Sequence, residues 1–545
     1  MAFPRGPFPW LDEIPQARPP EMQKFVESRV NEGMITMLDP ADIPPAALQL
    51  AKNCTVRFDK TSRRPGSRLL EPAKPNDEPV LKFAAVKMND GTPHTIRMTP
   101  TTIHRISGGV WTALTDANVG GEELAGTITD RFNTAIILDN FVFSNNGANH
   151  IQKINFTTNE FARLGNAPKY RYICGFFNRV VGAAVRDDNE VQIGWSGDAN
   201  IDEWDPLVDE SAGFGPLVES PSDLSDFITG LFAWTNVMLV LREKSIWIAT
   251  KQPIPQAPFD FKTVIPSIGC DCPSSAALIG LDGLAWFDYR TGTVYAYSVG
   301  GALERIGEKV ERDIVRNVDD VEKVFSAYNP IHNEYTIYIP QAGSKWVAAW
   351  TYNLRGKTWV YNEYYDQTTA DDIEIGSGGL TIDQLGPVPI NTLEGTIDDL
   401  SPTASTLPTR VYGRGDGSGA TEDVNVDTDA PHDDYPTGII YQTEIVSKVF
   451  TIPEDDIYIA EIRIEYDATI GGPFEIQYSR TGGAGLDAWR TAKIVDPQVL
   501  EVPRIIKYRR LIKSRRFAWR LISERGLFGI LSYEVHVYKA GKSNR

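Results

Sequence analysis

The stretch FSAYNPIHNEYTIYIPQAGSKWVAAWTYNLRGKTWVYNEYY, Phe325 to Tyr365, decides how the chain is read. Tyr335 to Ile339 alternates and is rich in β-branched and aromatic residues, which is the pattern of a half-buried strand. A Gly343-Ser344 turn leads into Trp346 to Tyr352. Arg355-Gly356-Lys357 then turns into Thr358 to Tyr361. Short strands joined by Gly and Asn turns are hairpins, and an up-down-up-down set of about 40 residues is one propeller blade.

The same arrangement recurs upstream. Thr95–Met98, Thr102–Ile106 and Val110–Leu114 form one unit. Thr134–Leu138, Phe141–Phe143 and Ile151–Ile154 form the next, around the hairpin dipeptide Asn146-Gly147. Tyr172–Val185 with Val191–Trp195 gives a third and Ile228–Phe232 to Ile248 a fourth. Ala277–Leu281, Leu284–Asp288 and Val294–Tyr297 give a fifth. The units are offset by roughly 35–55 residues, as blades are. Six lie between residues 90 and 366, and a contribution from 56–88 or 408–450 is expected to close the ring. Two helices are expected. One is opened by Pro within Asp42–Asn53, with Ala47, Leu48 and Ala51 at helical spacing. The other lies within Glu304–Asp319, with Ile306, Val310 and Ile314 on one face.

From Thr437 to Tyr538 strict alternation returns in Gln442–Val449, Tyr458–Tyr466, Phe474–Tyr478, Phe517–Leu521 and Leu531–Tyr538. A hundred residues of antiparallel strands read as a β-sandwich. The expected fold is therefore all-β, a β-propeller of about six to eight blades with a C-terminal antiparallel β-sandwich. Its parts are an N-terminal arm and short helix (1–55), the propeller (56–366), an acidic Gly/Thr/Asp-rich excursion or linker (367–435) and the sandwich (436–545). Within the arm, six prolines in residues 1–20 surround Phe3, Phe8 and Trp10, a pattern suited to an extended segment that docks through apolar anchors.

Charge separates the classes of function. The net charge of −18 argues against a protein that wraps nucleic acid from outside. From Asp366 to Asp434 fifteen Asp and Glu stand against Arg410 and Arg414, whereas Arg504 to Arg525 holds nine Lys and Arg against Glu524. Arg504, Lys507, Arg509, Arg510, Lys513, Arg515 and Arg516 are thus a candidate DNA-facing or inter-subunit basic stretch. No apolar run reaches the roughly 20 residues of a membrane span, and the first residues lack the pattern of a signal peptide.

No catalytic, cofactor or metal residues are assigned. G-x-S-x-G, H-E-x-x-H, a P-loop and a Rossmann glycine fingerprint are all missing. The six histidines are scattered, Cys270-Asp-Cys272 has one residue between its thiols, and Asp416-Gly-Ser-Gly lacks the ligand ladder of an EF-hand. Ser479 to Trp489 resembles a sialidase Asp-box hairpin only faintly, with Thr481 where that motif needs Asp. Trp195, Trp204, Trp234, Trp247, Trp286, Trp350 and Trp359 are expected to pack blade cores rather than stack on sugars. The chain is not expected to be an enzyme.

Three elements together resemble podovirus tail-tube nozzle proteins, including the packaged-DNA stabilisation (tail hub) proteins of P22-like phages. They are the N-terminal segment ending in Asn53 and Arg64-Pro65-Gly66, the loop WSGDANIDEWDP from Trp195 to Pro206, and the pattern Asn333-Glu-Tyr, Trp350-Thr-Tyr-Asn-Leu, Lys357-Thr-Trp359. The resemblance implies a structural virion protein of the bacteriophage tail, assembled in the host cytoplasm. It implies a homo-hexameric ring below the portal and adaptor that retains packaged DNA and conducts it during ejection. The implied partners are the tail adaptor, tail fibre or spike proteins, and genomic DNA without sequence specificity. The alternative is a carbohydrate-binding or glycosidase-like propeller acting in receptor recognition.

Overall fold

The computed structural model describes residues 22–539 apart from 374–408, 423–440, 452–456, 484–487, 496–503 and short gaps at 58–59, 65, 71–72, 90, 108–109, 119–121, 235, 281–282, 299, 471–472 and 525–526. It divides into two compact units, residues 64–441 and residues 1–63 with 442–545.

The first unit is a seven-bladed propeller. The quoted stretch forms one blade of it, with strands Phe325–Asn329, Glu334–Pro340, Trp346–Asn353 and Thr358–Tyr365 paired antiparallel in sequence order. Its alternation places Tyr335, Ile337 and Ile339 on one face and Tyr338 on the other, and both faces are buried against neighbours. Tyr338 stacks on Phe325 at 4.8 Å and meets Tyr364 at 5.6 Å, and Tyr364 in turn meets Tyr412 of the following blade at 5.5 Å. Such aromatic packing gives each blade both its own core and its grip on the next.

The other blades repeat the plan. Their first strands are Lys82–Lys87, Phe132–Ile137, Tyr170–Phe176, Ile228–Ala233 and Ala277–Ile279 for blades 1 to 5, with Phe325–Asn329 in blade 6 and Gln367–Ile373 in blade 7. Buried apolar clusters fill the spaces between successive blades. Phe132, Phe143 and Ile96 join blades 1 and 2, for example, and Met238, Val181 and Trp247 join blades 3 and 4. Blades 5 and 6 are also tied by hydrogen bonds: Tyr335 and Ser326 both donate to the Ser275 carbonyl at 2.6 Å, and the Trp359 indole donates to the Ile306 carbonyl at 2.7 Å. Trp204, Trp247, Trp286, Trp350 and Trp359 are all buried. In the Asn146-Gly147 turn both residues have positive φ, 53° and 70°, and Ala148 N donates to Asn145 O, the geometry of a type I′ turn.

Blade 7 corrects the domain reading. Gln367–Ile373 is its first strand, and Thr409–Arg414 and Gly419–Glu422 are its second and third. The N-terminal segment Ser67–Leu69 supplies the fourth, so the ring closes by pairing an early strand with a late one. The propeller therefore spans 64–441 rather than 56–366, and part of the expected excursion is a blade. The first strand reads QTTADDI, with little apolar content, and its buried Thr368 and Asp371 side chains hydrogen-bond to the Val80 carbonyl and the Phe83 N–H at the seam with blade 1.

The second unit is the β-sandwich, and it is built from both parts of the chain that flank the propeller. One sheet runs Cys54–Arg57, Lys60–Arg63, Leu527–Lys539, Ile457–Ile470, Arg504–Lys513, with Met22–Arg29 also paired to Leu527–Lys539. The other includes Leu48–Lys52, Thr443–Ser447, Arg516–Ser523, Phe474–Ser479 and Trp489–Val495. Ile462, Ile464, Phe474, Ile476, Trp519, Leu521, Tyr533 and Val535 are fully buried in this unit. Residues 22–57 are thus sandwich strands and turns rather than an arm with a helix. Leu48 and Ala51 are both buried, but their three-residue spacing comes from a β-bulge between Leu48 and Leu50 in the pairing with Thr443–Ser447. The second expected helix exists in shortened form, Glu311–Asn317, with Val310 and Ile314 buried.

Candidate functional site

The basic stretch lies at a sheet edge of the sandwich. Arg504–Lys513 pairs with Ile457–Ile470 on one side and ends the sheet on the other. Ile506 and Ile512 point into the core, while Arg504, Lys507, Arg509, Arg510 and Lys513 are exposed, as are Arg515 and Arg516 beyond the turn. Ile505 and Leu511, 58% and 60% exposed, stand among these cations. The pairing slips between Ile459 and Glu461, so Arg510 and Leu511 together face one residue of the neighbouring strand. Edge strands that end in Lys, Arg and a bulge resist unregulated pairing.

Several of the seven basic residues have partners within the chain, Arg510 through the Tyr508 hydroxyl among them. Arg509 Nε donates to Glu461 Oε2 at 2.6 Å and Arg463 Nε donates to Glu461 Oε1 at 2.5 Å, around a carboxylate that is wholly buried. Burial would raise the Glu461 pKa, but the hydrogen bonds and charges of Arg463 and Arg509 outweigh it and hold the carboxyl below its ordinary value. Lys513 lies 5.8 Å from the Tyr458 ring. Arg504, Lys507 and Arg510 are exposed on the strand, Arg515 in the turn after it and Arg516 at the start of the next strand. The anchors Phe3, Phe8 and Trp10 lie outside the described residues, as do the acidic segments 374–408 and 423–440.

Sequence reading did not locate the second feature, the axial channel of the propeller. It is a cavity of about 780 Å³ lined by the first strand of every blade. Lys82 of blade 1 and Asp371 of blade 7 form an ion pair on its wall at 2.5 Å. Arg131, one residue before the blade 2 strand, crosses to the far side. It donates from Nη1 to the Thr368 carbonyl of blade 7 at 2.7 Å and from Nη2 to the Lys323 carbonyl at 3.4 Å, and its guanidinium lies 4.4 Å from the Phe325 ring centroid of blade 6. Cys174 also lines the channel, and burial pushes its thiol up to about 12, which keeps it protonated and unreactive. No signal in the sequence joins Lys82, Arg131 and Asp371, because blade closure brings them together from positions up to 289 residues apart.

Other titratable clusters are structural. Arg97 donates to the Asn76 side chain and to the Gly417 carbonyl at 2.8 Å, tying blade 1 to blade 7. Burial and the Arg97 charge push the nearby His104 down to about 4. Asp288 is fully buried in blade 5 beside Asp271, and burial together with that second carboxyl pushes it up to about 6. Among the described residues no three His, Cys, Asp or Glu side chains converge on a metal-sized position, and no helix is long and apolar enough to cross a membrane.

No family model matches the chain, and no curated protein matches it in sequence. Among solved structures it is similar to virginiamycin B lyase from Staphylococcus aureus, with 11% identity, a TM-score of 0.36, and coverage of 65% of this chain and 98% of that one. It is also similar to a quinoprotein alcohol dehydrogenase-like protein from Bacteroides thetaiotaomicron, with 10% identity, a TM-score of 0.30 and coverage of 51% and 65%. A third is an exo-β-1,3-galactanase from Phanerochaete chrysosporium, with 9% identity, a TM-score of 0.25 and coverage of 79% and 100%. At such scores the likenesses bear on no activity. The all-β architecture, a propeller with a β-sandwich, is what the chain has in hand.

Proposed function

We propose that the chain is a structural subunit of a bacteriophage tail, a nozzle-type protein that assembles as a homo-hexameric ring on the tail adaptor, retains packaged DNA and conducts it at ejection. The observation that carries this reading is the open basic sheet edge. A chain of net charge −18 presents Arg504, Lys507, Arg510, Arg515 and Arg516 with Ile505 and Leu511 along a strand that ends its sheet among the described residues and at the turn and strand start that follow it. Cations interleaved with exposed apolar side chains suit contact with an acidic protein surface, and closed ring symmetry would repeat that contact around an axis. The other acceptable partner for such an edge is the phosphate backbone of the DNA end.

The propeller channel is not the DNA duct in this scheme, because Arg131 bridges it from blade 2 to blades 6 and 7. The duct would instead run between subunits, where a largely acidic wall keeps a polyanion from sticking. Virion location, adaptor contact and fibre or spike contact all belong to the same proposal. A second reading, a carbohydrate-binding or glycosidase-like propeller in receptor recognition, draws on the channel volume of about 780 Å³, which is the size of a small-molecule site.

Light scattering and negative-stain imaging of the purified chain, alone and with its adaptor ring, test the proposal. Six-fold rings with an axial opening are expected. A persistent monomer that ignores the adaptor and binds glycans would overturn it in favour of the second reading.

A further inference from the structure

Among the described residues no carboxylate hydrogen-bonds to the Arg131 guanidinium. Its described contacts are two backbone carbonyls and the Phe325 ring, and its Nε is buried with no acceptor among the described residues. Asp371 influences it through charge alone and is itself paired to Lys82. Burial pulls the Arg131 pKa down to about 10, so the guanidinium remains protonated at neutral pH. A half-buried cation whose Nε finds no acceptor is costly, because buried charges and donors in native structures are paired.

Arg171, which precedes Tyr172 on the first strand of blade 3, supplies a second donor. Its Nη2 binds Glu190 Oε1 at 2.7 Å, and its Nε is also buried with no acceptor among the described residues. The two arginines line one pocket of about 60 Å³ at the end of the channel where the first strands begin. That is several times the roughly 15 Å³ needed by one water. Asn133, Asn146, Thr129 and Ser274 complete its wall with amide and hydroxyl groups.

The neighbouring charges leave room for an anion. Asp130 is tied to Arg186 at 2.7 Å and Asp320 to Lys323 at 3.1 Å, while Glu190 takes the Nη2 end of Arg171 and leaves its Nε as the donor for a further group. Glu322, the remaining acid on the pocket wall, is solvent-exposed, where salt and water screen it.

We infer that this pocket binds a small oxyanion, a phosphate, sulfate or carboxylate group, held between Arg131 and Arg171 at the mouth of the propeller channel. Planar guanidinium groups match oxyanion geometry, and their N–H donors strengthen where water is scarce. Asn133 and Ser274 add neutral donors that do not need a counter-charge. The channel beyond the pocket has room for an organic body attached to the anion. The site lies within the propeller alone and is independent of ring assembly.

The test is calorimetric titration of the full chain, with ionic strength held constant by sodium chloride. Inorganic phosphate, sulfate, acetate and a 5′-phosphorylated dinucleotide are separate arms that distinguish a free anion from a carboxylate or a nucleic acid end. At least one arm is expected to saturate and to raise the melting temperature of the propeller. Arg171→Gln and Asn133→Asp are each expected to weaken it at least tenfold. Asn133→Asp matters most, since it leaves both arginines in place and adds a repelling carboxylate. Lys262→Gln, on the exposed last strand of blade 4 and away from the pocket, is expected to leave binding unchanged. Absence of saturable binding in all four arms, or binding that Asn133→Asp and Arg171→Gln leave intact, would overturn the assignment.

Discussion

Asp371 of the seventh blade holds Lys82 of the first: its Oδ1 accepts from Lys82 Nζ at 2.5 Å while its Oδ2 accepts from the Phe83 backbone N–H at 2.9 Å. Thr369 Oγ1 donates to the same Oδ2 at 3.0 Å. One carboxylate thus satisfies a charge and a main-chain donor on the blade where the ring starts.

Asp371→Ala should therefore destabilise the propeller by about 2–4 kcal/mol, because it strands both the Phe83 N–H and the Lys82 charge. Lys82→Ala should cost less, since the Lys82 side chain is 31% exposed and the Asp371 carboxylate keeps its two neutral donors. Urea unfolding followed through propeller tryptophans measures both. Equal losses would show that the N–H bond contributes nothing.

The outer seam of the same closure rests on Leu70, which is buried with Val80, Phe83, Trp111 and Val411 and donates its N–H to Gly419 O at 2.9 Å. Leu70→Ala should cost about 2–4 kcal/mol and speed amide exchange along Gly419–Glu422. Leu69→Ala, on a side chain that is 38% exposed, should change stability by less than about 1 kcal/mol. Hydrogen-exchange mass spectrometry separates the two outcomes.

Stability of the sandwich should fall in acid through Glu461. Its folded pKa lies below the ordinary value of 4.5, so the stabilisation is complete above that value and is lost as pH falls through the folded pKa. Glu461→Gln should lower the melting temperature at pH 7 and flatten its dependence below pH 4.5. A variant curve parallel to the wild type throughout this range would remove Glu461 from the account.

Asp288 works in the opposite sense. Its folded pKa, pushed up to about 6, exceeds the ordinary 3.8, so the fold binds a proton that the unfolded chain releases. Stability from this group is greatest below pH 3.8 and declines as pH rises through about 6. Asp288→Asn, a neutral amide of the same shape, should then stabilise the propeller at pH 8 and have little effect at pH 4. Paired melting curves at the two pH values decide it, and a loss of stability at pH 8 would contradict the assignment.

Strand periodicity made six blades legible because aromatic and β-branched residues fill the spaces between blades, as the Phe325–Tyr365 unit illustrates. The seventh was hidden because Gln367–Ile373 carries threonines and aspartates that hydrogen-bond across the seam to blade 1, where the other first strands carry apolar residues. The short helix around Leu48 was a bulge seen in one dimension: an inserted residue gave a strand the spacing of a helical turn. The cations of Arg504–Arg516 were visible as a run of charge, but sequence did not separate Arg509, which neutralises buried Glu461, from its outward-facing neighbours. Arg131 and Arg171 were not legible at all. Each is an ordinary arginine in the sequence until the packing of blade 2 beside blade 3 sets both on one pocket.

The nesting of one unit within the other sets an order of events during synthesis. The propeller has its last strand once residue 422 has been made, whereas Met22 must wait for Tyr538, its partner in the sandwich. At about 5–20 residues per second, that wait is on the order of half a minute to two minutes. Throughout it Met22–Arg29 is present without its partner strand, and for most of it Leu48–Lys52 waits for Thr443–Ser447, while the ring can close. Nascent chains halted after residue 441 should thus already hold a protease-resistant propeller flanked by a cleavable N-terminal segment.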